Sequence, residues 1–187
     1  MEIEQHGGNS AWPAVQLAAG FGFYGTASLL LSHLPPNAAE KSENRQYITW
    51  SHLSRKSYQS TGSQEGMDSL SYGSPYTTSR VSVVQLLLDR GTCIEAVDDL
   101  YGQTALLDVI LSRTPSSNKI LVIGLLLDKG ADLNAVDARG RPSLHLCVSM
   151  GYKDIHQVAR FLLESGADSE FADPSGSTAL HKAVYLG

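Results

Sequence analysis

The chain has 187 residues, of which 42% are hydrophobic and 18% charged, with a formal net charge of -5. That is enough apolar matter for one core or a short stack of units, and too little positive charge to neutralise nucleic-acid phosphates, so DNA and RNA are not expected partners. Two cysteines, Cys93 and Cys147, are too few for a disulfide scaffold or a four-ligand zinc site and suit reduced thiols in an intracellular setting, cytoplasmic or nuclear.

From Glu4 to Glu40 there is no intervening Asp, Glu, Lys or Arg. A secretory leader wants a basic start, and Glu2 and Glu4 are acidic. A span over residues 9–34 would carry Gln16, Thr26, Ser28 and clustered glycines into hydrocarbon, so a membrane-tethered scaffold is a lesser reading. Inside this stretch, "AAGFGFYG" holds Gly20-x-Gly22-x-x-Gly25, with Glu40 twenty positions after Gly20. Dinucleotide-binding folds use that spacing to bring backbone N–H groups to a pyrophosphate, but only where a strand leads into the glycines. A nucleotide-binding enzyme fragment is therefore the second alternative.

Residues 38–80 form a connection rich in Ser, Gly and Tyr, including "RKSYQSTGSQEGMDSLSYGSPYTTSR". So few aliphatic side chains cannot offset the entropy of ordering, and a largely disordered insert is expected. One helix is expected within it at "QYITWSHLS". Ser57, preceded by Arg55 and Lys56, is a candidate phosphorylation site, with a solvated loop as the ordinary alternative.

From residue 81 the chain repeats itself. "VVQLLLDRG", "VIGLLLDKG" and "VARFLLESG" end at Gly91, Gly130 and Gly166, 39 and then 36 positions apart. Each has apolar residues at helical spacing, two closing leucines, a polar pair and a glycine placed for a left-handed helix cap. Each glycine is followed by Asp-x-x-Gly, at Asp99 to Gly102, Asp137 to Gly140 and Asp173 to Gly176. Thr104 and Thr178 precede the next apolar run and are expected to accept from the open amides of a helix start. The unit is thus turn, helix, loop, helix.

These residues resemble the ankyrin repeat, whose pattern is Asp-x-x-Gly-x-Thr-Pro-Leu-His-x-Ala followed by Leu-Leu-x-x-Gly-Ala-Asp. "GADLNAVDARGRPSLHLCVSMG" and "GADSEFADPSGSTALHKAVYLG" carry it through His145 and His181. Departures are Pro142-Ser143 for Thr-Pro, Leu107 in place of the His, and Leu34-Pro35 in place of the capping glycine of the first unit. Registered on this pattern, "PAVQLAAGFGF" becomes a first helix, Gly20 to Gly25 an inter-helix loop, and "LLLSH" a second helix.

The expected organisation is a degenerate unit over residues 1–37, the insert 38–80, and an array over 81–187 with units at 99–136 and 137–172 and an incomplete one from 173. The fold class is all-α, a helix-turn-helix solenoid with short finger turns. The mid-unit end at Gly187 is expected to mean a piece of a longer protein or a truncated product. By resemblance the chain is a non-catalytic protein-binding scaffold or adaptor, working as a monomer without cofactor, metal or membrane. The resemblance also places partner contacts at Leu100, Tyr101, Gln103, Ala138, Arg139, Arg141, Ser149, Met150, Pro174, Ser175, Ser177, Tyr185 and Leu186. Tyr101, Arg139, Arg141, Met150 and Tyr185 are the types interfaces favour. His145 and His181 are expected to be structural, and Cys147, two residues from His145 and so turned away from it on a helix, a small core residue.

Overall fold

The computed structural model describes Ala18 and residues 24–33, 75–98, 101–112, 116–151 and 155–186. These residues form seven helices and no strand, with one isolated antiparallel bridge between Val136 and Pro142. Two compact units result, one taking in Ala18, 24–33 and 75–92, the other the described residues from Cys93 onward.

In the first unit α1 (Tyr24–Ser32) packs on α2 (Pro75–Asp89). Ala27 and Leu31, one turn apart on α1, are buried, as are Val83, Val84 and Leu87 of α2, the stripe that a period of 3.6 residues produces. The Arg90 guanidinium donates to the Leu31 carbonyl, satisfying an acceptor that the end of α1 leaves open. Both helices start earlier than the sequence suggested. Gly25 belongs to α1 rather than to a loop, because the run "YGTASLLLS" contains no breaker and a glycine in a first turn is tolerated. Pro75 opens α2 six residues inside the expected insert; at a first helical position its missing N–H leaves no bond unmade. The helix expected at "QYITWSHLS", residues 38–74 and Ser57 lie outside the described residues.

The second unit contains α3 (Ala105–Leu111), α4 (Ser116–Asp128), α5 (Ser143–Ser149), α6 (Ile155–Glu164) and α7 (Ala179–Leu186). α3, α5 and α7 pack in a row, α4 lies against α3 and α6 against α5, and α4 touches α6. Leu106, Leu107, Val109, Ile110, Ile123, Leu126, Leu146, Cys147, Val158 and Leu162 fill the space between the rows. Each fully buried aliphatic side chain contributes about 1.5–3 kcal/mol. Lys119 is also buried, and its Nζ donates to the Ile110 carbonyl at 2.7 Å. This cation closes the C-terminal end of α3, where the helix dipole favours it. Burial pushes the Lys119 ammonium below its usual range, and pushes the neighbouring Cys147 thiol up to about 12 against the opposing pull of Lys119.

Candidate functional site

The turns between helix pairs are built by one repeated device. The Asp137 Oδ1 accepts from the amides of Arg139 and Arg141, both at 2.9 Å, while the Asp137 amide donates to the Arg141 carbonyl at 3.1 Å. Asp173 does the same with Ser175 and Ser177. A buried carboxylate thereby satisfies amides that a tight turn cannot pair with other backbone.

The first of these turns corrects the sequence reading. Asp98, not Asp99, accepts from the amides of Tyr101 and Gln103 at 2.9 Å and closes on the Gln103 carbonyl at 3.0 Å. This turn carries one residue more than the others, and the Asp-x-x-Gly spacing picked the wrong aspartate. Asp99 and Leu100 lie outside the described residues.

Successive turns are joined. The Ala138 amide donates to the Tyr101 carbonyl at 2.9 Å, so the second turn hangs on the first. A β-carbon on Gly140, whose φ is 69°, would stand 2.7 Å from Pro174 Cγ. Only glycine allows that approach. In the segments that lead from each second helix into the next turn, the Asp132 amide donates to Glu95 at 2.7 Å and the Asp168 amide to Asn134 Oδ1 at 3.0 Å.

The histidines complete the joints and show what the departures cost. His145 Nε2 donates to the Ser177 carbonyl at 2.6 Å, tying α5 to the third turn. A carbonyl only accepts, so in the neutral ring Nδ1 is left as an acceptor. In the third unit His181 Nδ1 takes the Thr178 hydroxyl at 2.8 Å. Pro142 stands at the corresponding position before His145, and with neither hydroxyl nor N–H there, the buried Nδ1 has no partner. In the first unit the fault is reversed. Thr104 is present, Leu107 replaces the His, and the Thr104 hydroxyl is buried and unpaired. Thr104 therefore makes no side-chain cap, contrary to expectation, whereas the Thr178 hydroxyl accepts from the His181 amide at 3.5 Å.

Tyr101, Ala138, Arg139, Ser149, Pro174, Ser175, Tyr185 and Leu186 are exposed, and Arg141, Met150 and Ser177 partly so. Gln103 is only 8% exposed, drawn in because its amide and carbonyl close the Asp98 turn. Arg141 is committed: its Nε and a terminal nitrogen hold Asp137 Oδ2 at 2.9 and 2.6 Å. Burial opposes the charge on Asp137, but the Arg141 guanidinium and the amides of Arg141 and Arg139 outweigh it and keep the carboxyl below its usual range. Lys182, 2.8 Å from Asp173 Oδ2, and the Ser175 hydroxyl hold the Asp173 carboxyl low in the same way. Asp173 is screened by its own turn rather than by depth of protein.

Among the described residues no group of His, Cys, Asp and Glu could hold a metal ion, and no helix is long and apolar enough to cross a membrane. Gly20, Gly22 and Glu40 lie outside the described residues, but Ala18, just ahead of the glycines, is helical and buried, where a dinucleotide fold needs a strand.

Residues 116–187 match the profile of a family described as ankyrin repeats in three copies. No curated protein matches the chain. Ankyrin repeats generally mediate protein–protein interaction and are typically non-catalytic.

Proposed function

Residues 116–187 belong to the ankyrin repeat family, and from that premise we propose that the chain is a non-catalytic scaffold whose turn tips and first-helix ends receive a protein partner. The observation that carries this reading is the joining of successive turns, Ala138 amide to Tyr101 carbonyl and His145 to Ser177 carbonyl. Turn tips fixed in this way hold Tyr101, Arg139, Pro174 and Ser175 before a partner arrives. Ordering a free side chain on binding costs about 0.5–1.5 kcal/mol, and a preformed face avoids much of that cost.

Tyr101 and Arg139 are the anchors. Both are exposed and of the types that dominate interface energetics. Arg141 is excluded as a first choice because it braces Asp137, and Gln103 because it is buried. The test is a quantitative pull-down comparing the native chain with the Tyr101→Ala, Arg139→Ala double variant. The expected result is at least tenfold weaker retention of the partner, with a thermal melt unchanged because surface substitutions shift stability by only about 0.5 kcal/mol. Equal retention by both chains rejects this face.

A further inference from the structure

The three aspartates that build the turns are sunk beneath them. Asp98, Asp137 and Asp173 are 7%, 5% and 8% exposed, and each accepts from amides of its own turn. The exposed carboxylates of this unit stand elsewhere: Asp128 and Glu164 close α4 and α6, and Glu95, Asp132, Asp168 and Glu170 lie in the segments that lead toward the turns. Among the described residues the turn tips therefore show cations without acids, on a chain whose formal net charge is -5. Arg139 and Arg141 are those cations, and the second turn sets them side by side, because both their amides reach Asp137 Oδ1 at 2.9 Å. Arg139 is exposed, and its guanidinium has no partner among the described residues. Arg141 uses two of its five N–H groups on Asp137 Oδ2 and keeps three to give. The carboxylate fixes the plane of that guanidinium, so a second acceptor meets donors already oriented.

We infer that the partner received at the turn tips is an acidic peptide segment, its carboxylates taken by Arg139 and Arg141 and an apolar side chain beside them by Tyr101. The inference rests on the binding face proposed above and names the chemistry that fits it. A guanidinium offers paired N–H groups at the spacing of carboxylate oxygens, and such charge-assisted bonds are about twice as strong as neutral ones. Tyr101, 47% exposed, is fastened to the arginine-bearing turn through its carbonyl and the Ala138 amide at 2.9 Å. Pro174 closes on Gly140 from the other side. Apolar surface on both flanks weakens the screening that a charge pair meets in open water, and it rewards an acidic segment that also carries an apolar residue. A nucleic acid fits less well, since two arginines neutralise too few phosphates and the exposed acids of the connecting segments repel the rest of its backbone. A basic segment is repelled by the same two guanidinium groups.

The experiment is an NMR titration of the full chain with a short peptide of glutamates around one tryptophan. The same peptide with glutamine for glutamate, and a single-stranded oligonucleotide of similar length, are titrated beside it. The expected result is saturable shifts of the Tyr101, Ala138, Arg139 and Arg141 amides over about 10 µM to 1 mM glutamate peptide, a range suited to a weak complex, with the Asp132 and Asp168 amides unmoved. Affinity falls about fivefold in Arg139→Gln, whose thermal melt matches the native chain, and falls again as salt is raised from about 50 to 300 mM. It is unchanged in Lys129→Gln, a change at an exposed cation just after α4. The glutamine peptide and the oligonucleotide bind about fivefold more weakly or worse. Absent shifts, equal binding of either control ligand, no loss in Arg139→Gln, or an equal loss in Lys129→Gln overturns the inference. The binding face has a separate fate. A native partner that the Tyr101→Ala, Arg139→Ala variant fails to retain, but that the native chain holds undiminished at high salt and against excess glutamate peptide, keeps the face and rejects its acidic ligand.

Discussion

Replacing Pro142 by Thr should stabilise the second unit. His145 is 1% exposed, its Nε2 is held by the Ser177 carbonyl and its Nδ1 has no donor. An unpaired buried acceptor costs about 1–3 kcal/mol, and a Thr hydroxyl placed as Thr178 is toward His181, at 2.8 Å, removes that cost. The backbone at Pro142, φ −77° and ψ 171°, is extended and suits Thr. Against the gain stands the loss of proline's restriction of the unfolded chain, about 0.4–1 kcal/mol. The balance is a gain of about 1 kcal/mol, or about 4–8 °C in Tm for a unit of this size. Urea and thermal unfolding measure it, with Pro142→Val as the control that has the same shape without the hydroxyl. Equal stability of the Thr and Val variants would refute the account of the orphaned Nδ1. The mirror case is Thr104→Val, which removes an unpaired hydroxyl and should cost nothing.

Leu126→Ala and Leu162→Ala, at positions 2% and 0% exposed, should each cost about 2–5 kcal/mol by urea denaturation. Gly140→Ala should destabilise more than Gly176→Ala: both glycines have positive φ, but only at Gly140 does the new β-carbon meet Pro174. Thermal melts of the two variants give the comparison directly. Asp137 and Asp173 both lie below their ordinary value of 3.8 in the folded chain, so the unfolded chain binds more protons as pH falls. The stability they contribute is therefore complete above about pH 4 and lost as the pH drops further. A series of Tm values from pH 7 to pH 3 should fall steeply at its acid end, and Asp137→Asn should lower the neutral Tm while flattening that fall.

The helical array was legible because its signals are periodic. Paired leucines and capping glycines recur, and Gly91, Gly130 and Gly166 all take positive φ as a left-handed cap requires. What escaped was local and non-periodic. The extra residue in the first turn passed unnoticed because Asp98 and Asp99 are the same residue type. The start of α2 was hidden by polar composition that says nothing against a helix opened by Pro75. Buried Lys119 could have been suspected only from its place in the first turn of a helix following an α3 that ends without a glycine. Of the contact residues, exposure at the turn tips followed from turn chemistry, but the burial of Gln103 and the engagement of Arg141 depend on which side chain each carboxylate captures, and spacing does not encode that.

Hydrogen exchange of the backbone amides, followed by NMR on the full chain, tests most directly whether the turns form a fixed ladder. The decisive amide is that of Ala138, an exposed turn residue whose N–H reaches back to the Tyr101 carbonyl at 2.9 Å. The account requires Ala138, together with Asp137 and Asp173, to exchange as slowly as the amides of α5. Exchange of Ala138 at the rate of a free loop, with α5 still protected, would mean that the tips move independently and present no preformed face.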